Sequence, residues 1–325
     1  MITTLLILMC MAVLVAWSSS KAVRYSLELA SILHLKTFVV GFIVLSLSTS
    51  LPELSVAVMS GLSGVPRLSI GNIVGANFID LSLILGLVVI LVGEIKLEKK
   101  DELDLITIFA IATLVMLLIF TGENLTRAQG VVLIGLYVLS IFHIYSQEKL
   151  EVIVDEERKE AKAELSDEVF MFGRIGTLIK LFFTLLILIA SSRLLVDSAV
   201  KVATDWGVPT NVIGATLVAL GTTLPELTLE LNAIRRKEYA LALGDAFGSA
   251  LTNSTLVLGV LALLSPVHVE LPVLTYMLLL LIAALVVIWN SLLNHKKIDK
   301  KSGIILVSIY MIFLTIEVLQ VTVFK

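Results

Sequence analysis

The length and spacing of its apolar runs constrain this chain more than any other feature. Stretches of roughly 18–25 residues, nearly free of charge, alternate with short charged clusters from one end to the other. About 20 apolar residues are what a helix needs to cross about 30 Å of hydrocarbon. Ten such spans can be read, at approximately 2–20, 37–61, 68–93, 103–121, 128–146, 175–203, 210–233, 239–264, 270–290 and 303–322. Only 16% of the 325 residues are charged, against about 25% in an average soluble domain. The expected fold class is therefore an all-α polytopic membrane protein of ten transmembrane helices, with the lipid bilayer as its partner.

The remaining composition removes alternatives. A single cysteine, Cys10, sits inside the first run, so neither a disulfide framework nor a cysteine metal site is available. The run from Ile2 to Trp17 lacks a basic leader and an Ala-x-Ala cleavage site and is read as a first span. His34, His143, His268 and His295 fall at or near span ends, where an interfacial role is expected. No nucleic acid, obligate protein partner or organic cofactor is implied.

Lysine and arginine set an expected orientation, because cytoplasmic loops retain positive charge. With the N-terminus outside, the inner loops collect Lys21, Arg24, Lys36, Lys96, Lys99, Lys100, the basic residues of the central loop, Arg235 to Lys237, and Lys296 to Lys301. The outer side keeps Arg67, Arg127, Lys201 and Lys325. Both termini are then outside and the long charged loop is cytoplasmic, in a membrane expected to be the prokaryotic cytoplasmic membrane.

The chain also repeats itself. A shift of 173 residues places Thr37 on Thr210, Gly41 on Gly214, and Leu47, Thr49, Leu51, Pro52, Glu53 and Leu54 on Leu220, Thr222, Leu224, Pro225, Glu226 and Leu227. Further on, Gly71 meets Gly244, Gly75 meets Gly248, Asp80 meets Asn253, and Leu85-Gly86 meets Leu258-Gly259. This divides the chain into a five-helix repeat at 1–146, a charged linker at 147–172 and a second repeat at 173–325. Five spans per repeat is an odd number, so the copies are inverted relative to each other, an arrangement that places an ion site near the midplane where they meet.

The shared residues are the wrong kind for lipid. Glu53 and Glu226 lie well inside their spans, where an ionised carboxylate costs about 2.5–3.5 kcal/mol or more. A proline precedes each glutamate, and proline displaces the carbonyl four residues earlier, here that of Ser48 and of Gly221. Thr49 and Glu53, like Thr222 and Glu226, are four apart and share a helix face; Ser50 and Thr223 stand beside them. The following spans read Gly71-Asn72-Ile73-Val74-Gly75-Ala76-Asn77-Phe78-Ile79-Asp80 and Gly244-Asp245-Ala246-Phe247-Gly248-Ser249-Ala250-Leu251-Thr252-Asn253. Their glycines are expected to let helices approach closely. Their polar residues fall in stripes, Asp245, Ser249 and Asn253 in one and, at the matching positions 72, 76 and 80, Asn72 and Asp80 in the other. All these are hard oxygen donors, suited to Ca²⁺ and also to Na⁺, whereas transition metals more often recruit His or Cys.

The doubled Thr-Ser/Thr-Leu-Pro-Glu segment, each copy followed by Gly-Asn/Asp-x-x-Gly and then Asp or Asn, resembles the α-repeats of the sodium/calcium exchanger family, within the cation/Ca²⁺ antiporter superfamily. The resemblance covers both halves. It implies an inverted five-plus-five fold and alternating access, with Glu53 and Glu226 as the central Ca²⁺ carboxylates and Thr49, Ser50, Thr222 and Thr223 as flanking ligands. Asp80, Ser249 and Asn253 match the remaining polar positions. Three residues depart from the family pattern: Ser48 stands where Gly is usual, Ala76 where Ser249 has its hydroxyl, and Asp245 where Asn is usual. Losing a hydroxyl and gaining a protonatable group weakens Na⁺ as counter-ion and favours H⁺. Exchange of Ca²⁺ for Na⁺ remains the expected function, with H⁺ or another cation as the alternative. Arg193, where many relatives carry an acid, is expected to pair with Asp197.

Two further acids bear on a second class of function. Asp80 and Asp245 on neighbouring spans could form the shared-proton dyad of an intramembrane aspartyl protease. The chain reads Ile79-Asp80 and Ala242-Leu243-Gly244-Asp245, without the Tyr-Asp and Gly-x-Gly-Asp signatures of such enzymes, and the two aspartates occupy non-equivalent repeat positions. A transporter is therefore expected, not an enzyme.

Overall fold

The computed structural model describes residues 2–32, 46–96, 124–155, 167–235, 239–268, 271–295 and 297–323. The expected span at 103–121, the start of the span at 37–61, and the repeat positions Thr37 and Gly41 lie outside them. Helix α1 covers Ile2–Ile32. A kinked pair follows, α2 (Ser46–Thr49) and α3 (Leu51–Leu62), then α4 (Pro66–Phe78), which passes through a π-helical turn, Ile79–Ile84, into α5 (Leu85–Val92). After strands β1 (Glu94–Lys96) and β2 (Asn124–Leu125) come α6 (Arg127–Asp155) and α7 (Asp167–Trp206). The second half continues with α8 (Thr210–Ile213), a π turn at Gly214–Val218, α9 (Ala219–Thr222), α10 (Leu224–Arg235) and α11 (Tyr239–Thr252). A π turn at Asn253–Val257 leads to α12 (Leu258–Leu264), β3 (Val267–His268), α13 (Leu271–His295), β4 (Lys297–Asp299) and α14 (Lys300–Val323).

The offset of 173 seen in the sequence reappears in the elements. Moved by it, α2 and α3 fall on α9 and α10, and the π turn after Phe78 falls on the one after Thr252. The short strands repeat the relation across the halves: β1 pairs antiparallel with β4, and β2 with β3. The loops that follow the third and ninth spans thus meet, as do those that follow the fourth and eighth. At the first of these pairs Lys297 Nζ donates to Glu94 Oε2 at 2.7 Å, and this carboxylate raises the Lys297 ammonium above the usual lysine range.

Within each of the three π turns a hydroxyl bonds back to a carbonyl four residues earlier: Ser82 donates to the Phe78 carbonyl, Thr216 to Val212 at 2.7 Å and Thr255 to Leu251 at 2.6 Å. Ser82 and Thr255 are themselves repeat-equivalent.

Among the described residues five helices are long and apolar enough to cross a membrane. They divide by burial. In Pro66–Val92 and Ala242–Leu264 the most apolar windows are 83% and 78% buried, against 39% in Thr4–Ala22 and 33% in Ile175–Trp206. The first pair forms the centre of the molecule. The second pair, within α1 and α7, packs chiefly on itself and turns Leu6, Ile7, Phe182, Phe183 and Ile187 outward, as a lipid-facing surface requires.

Glycine permits the central helices to touch. A Cβ at Gly75 would overlap the Ala215 backbone, and one at Gly71 the Asn211 carbonyl, so α4 lies backbone to backbone against α8 and its π turn. The close-packing role expected of Gly71 and Gly75 is what the structure shows.

Candidate ion-binding site

Both proline segments kink. The helix breaks at Ser50, between α2 and α3, and at Thr223, between α9 and α10, with each proline and its glutamate opening the new helix. Amide bonds span the breaks, Ser50 to Ser46 at 3.0 Å and Thr223 to Ala219 at 3.0 Å, so the chain bends without unwinding. The bends fall at matching points of opposed helices and direct Glu53 and Glu226 into the same interior.

Glu53, Asp80, Glu226 and Asp245 are all fully buried and lie within electrostatic reach of one another. Neither oxygen of Glu53, Asp80 or Glu226 meets a hydrogen-bond donor, and Asp245 leaves Oδ2 unmet. Buried polar atoms are nearly always bonded, and this inward-facing cluster of bare carboxylate oxygens has the chemistry to hold a cation. No lysine or arginine is buried among the described residues.

The hydroxyls bind across the repeats. Thr49 Oγ1 donates to Asp245 Oδ1 at 3.1 Å and lies 2.8 Å from Ser249 Oγ. At the equivalent point Thr222 Oγ1, which lies against Glu53, donates to Asn72 Oδ1 at 3.0 Å. Thr49 with Asp245 and Thr222 with Asn72 are the same contact seen from either side of a pseudo-twofold axis. Among the described residues no three His, Cys, Asp or Glu side chains converge as a resident metal site would need. A cation held here would draw on hydroxyls and amides as well as carboxylates, as Ca²⁺ with its 6–8 oxygens commonly does.

Comparison with known proteins gives the family and the fold. A model of the family described as "Sodium/calcium exchanger protein" matches residues 3–146 and 177–319. The chain belongs to the sodium/calcium exchanger family. Among its relatives, the putative antiporter CaxA of Alkalimonas amylolytica is 30% identical over 256 residues, 78% of each chain. The sodium/calcium exchanger MaX1 of Methanosarcina acetivorans is 26% identical over 96% of this chain and 97% of its own. A solved structure of the sodium-calcium exchanger NCX_Mj, soaked with Na⁺ and Sr²⁺, superposes with a TM-score of 0.67 at 24% identity, covering 97% of this chain and 98% of that one. That likeness shows the fold: an all-α polytopic membrane protein of ten helices in two inverted five-helix repeats, as expected from the sequence.

Against this exchanger fold the residues read from the sequence separate into two groups. Glu53, Glu226, Asp80, Asp245, Thr49, Thr222 and Ser249 come together. Ser50, Thr223 and Asn253 make no hydrogen bond to the carboxylates: Ser50 Oγ is buried without a partner, Thr223 donates to the Ala219 carbonyl at 2.9 Å, and Asn253 donates to Asn77 Oδ1 at 3.2 Å. Asn77 in turn donates to Ser254 Oγ at 2.9 Å, tying the two central spans together. Asn77, Ser254 and Glu230 were not singled out from the sequence. Glu230 is buried on α10, near Asp245 and Asp80, and its signal was available, a charged residue four positions after Glu226. Asp80 and Asp245 do approach each other, as a protease dyad would, but as two members of a larger acidic cluster in a transporter family. Arg193, half exposed, pairs with Asp197 at 3.1 Å as expected and also donates to Ser63 at 2.8 Å.

Proposed function

We propose that this protein is a secondary active antiporter that exchanges Ca²⁺ for Na⁺ by alternating access, with Glu53 and Glu226 as the central Ca²⁺ carboxylates. One observation carries the reading: two repeat-equivalent glutamates, fully buried with no donor on their carboxylate oxygens, lie within electrostatic reach of each other in a cluster with no buried lysine or arginine among the described residues. Thr49, Thr222, Ser249, Asp80 and Asp245 complete the oxygen set, with Ser50, Thr223 and Asn253 at its margin.

The mechanism is competition for shared oxygens. Ca²⁺ offsets both glutamate charges, whereas the bare pair carries a desolvation cost of several kcal/mol per ion. A site loaded with Ca²⁺, or neutralised by Na⁺ or protons, crosses between the two sides; an unneutralised one does not, and exchange replaces leak. The moving elements would be α1 and α7, sliding together over the central spans. They meet the rest of the molecule where Ala12 touches Gly221, with polar ties between Ser55 and Ser192 at 2.5 Å and from Arg193 to Ser63 at 2.8 Å.

The same reading takes 1–146 and 173–325 as the two repeats, joined by the linker 147–172 on the cytoplasmic side of a prokaryotic cytoplasmic membrane, with both termini outside and no obligate protein partner. H⁺ in place of Na⁺ is the second reading. Two features favour it: Ala76, fully buried, offers no hydroxyl opposite Ser249, and Asp245 adds a carboxylate. Uptake of ⁴⁵Ca²⁺ into proteoliposomes, driven in turn by a Na⁺ gradient and a pH gradient, distinguishes the two. Glu53→Gln and Glu226→Gln should each abolish uptake under either gradient; wild-type transport in both variants would remove the mechanism.

A further inference from the structure

Three carboxylates of the central cluster, Asp80, Glu230 and Asp245, have no acidic repeat-equivalent. Glu230 lies one turn beyond Glu226 on α10 and is 2% exposed. Its carboxylate is within electrostatic reach of Asp245 and Asp80, and its Oε1 meets no donor. Asp245 Oδ2, on the facing helix α11, is likewise without a partner. The repeat-equivalent of Glu230 is Ala57, which is fully buried in the apolar core. The acidic cluster therefore extends past the central pair in one direction only, along the second half of α10, while the pseudo-twofold-related direction is closed by an alanine.

We propose that Glu230, with Asp245 Oδ2 opposite it, forms an accessory alkali-cation subsite one helical turn from the central pair. The inference rests on the exchanger reading of that pair and goes beyond it. Five buried carboxylates, Glu53, Asp80, Glu226, Glu230 and Asp245, share one interior with no buried lysine or arginine among the described residues. A single Ca²⁺ at the central pair offsets two charges. Three carboxylates remain, and an alkali cation between Glu230 and Asp245 offsets part of the several kcal/mol that unpaired buried charges cost. A second divalent ion does not suit the place, because Ca²⁺ seeks 6–8 oxygens and the unpartnered oxygens offered there are Glu230 Oε1 and Asp245 Oδ2. A monovalent ion needs less charge and fewer ligands. In the proposed orientation the subsite lies on the cytoplasmic side of the centre, where an alkali ion would be stationed next to the ligands it must take from Ca²⁺.

The test uses the full-length protein in lipid nanodiscs and counts bound ions at saturation, with ²²Na⁺ and ⁸⁶Rb⁺ as alkali probes and ⁴⁵Ca²⁺ as the central-site probe. Glu230→Ala, which copies the first repeat, and Glu230→Gln should each bind one alkali cation fewer per chain than wild type in at least one of the two arms. Both should still bind ⁴⁵Ca²⁺ saturably, which reports an intact fold; if the alanine variant does not, the glutamine variant decides. Wild-type alkali counts in the folded variants would overturn the subsite. Loss of ⁴⁵Ca²⁺ from both variants would also overturn it, by placing Glu230 among the Ca²⁺ ligands. Glu53→Gln, run in parallel, reports on the central reading separately: its failure to lose ⁴⁵Ca²⁺ would remove that reading whatever the Glu230 variants do.

Discussion

Replacing Glu53 by glutamine should move two measurable quantities in opposite directions. The side chain is fully buried, and neither carboxylate oxygen meets a donor. In the absence of divalent ions the charge is a liability, and a neutral isostere should raise stability by part of the several kcal/mol that a buried unpaired charge costs. For Ca²⁺ the sign reverses. Removing one of two charges that flank a buried ion costs about 3 kcal/mol at the lower end, or roughly 150-fold in affinity at about 1.4 kcal/mol per decade. At a Ca²⁺ concentration roughly 100 times Kd, the wild type gains about 2.7 kcal/mol of stability by mass action. At the same concentration the variant sits near 0.7 times its own Kd and gains only about 0.3 kcal/mol. Thermal unfolding of purified protein, followed with and without Ca²⁺, should show a higher midpoint for the variant in chelator and an almost absent Ca²⁺ shift. A variant that keeps the wild-type Ca²⁺ shift would refute the reasoning, because Glu53 would then contribute no charge to the site.

Three further outcomes are expected. Gly75→Val places side-chain atoms where the Ala215 backbone lies and should cost more than the usual 1–3 kcal/mol of overpacking, read as loss of monodisperse protein on size exclusion; normal yield and transport would contradict the close contact. Ala76→Ser restores the hydroxyl matched by Ser249 and should raise Na⁺-driven over H⁺-driven ⁴⁵Ca²⁺ uptake by roughly tenfold, within the usual range of coupling between sites; an unchanged ratio would show that position 76 does not touch the Na⁺ ligands. Arg193→Ala removes an ion pair whose side chains are 48% and 51% exposed, and such pairs contribute about 0–1 kcal/mol. The unfolding midpoint should barely move, and a large drop would give Arg193 a role beyond Asp197 and Ser63.

Residues close along the chain were the legible ones. The i,i+4 spacing of Arg193 and Asp197 was enough to pair them, since such positions are neighbours on a helix. The glutamates of the two Leu-Pro-Glu segments announced themselves because a carboxylate inside an apolar span is costly wherever that span packs. Glu230 meets the same criterion, but its counterpart in the first half is Ala57, so the repeat does not point to it. Asn77 was equally quiet, because a buried amide in a span says nothing about its partner until another helix arrives.

By itself the sequence determined the solvent, the spans, their inversion and the acids that cannot face lipid, because apolar length and repetition are properties of the linear chain. Only the tertiary structure decided which oxygens meet. Thr49 finds Asp245 across 196 residues and Thr222 finds Asn72 across 150. Helical periodicity fixes which face of a span is polar, but the partner of that face is chosen by backbone contact, here α4 against the π turn that begins at Gly214, where glycine allows the spans to approach closely enough to draw the acids into one interior.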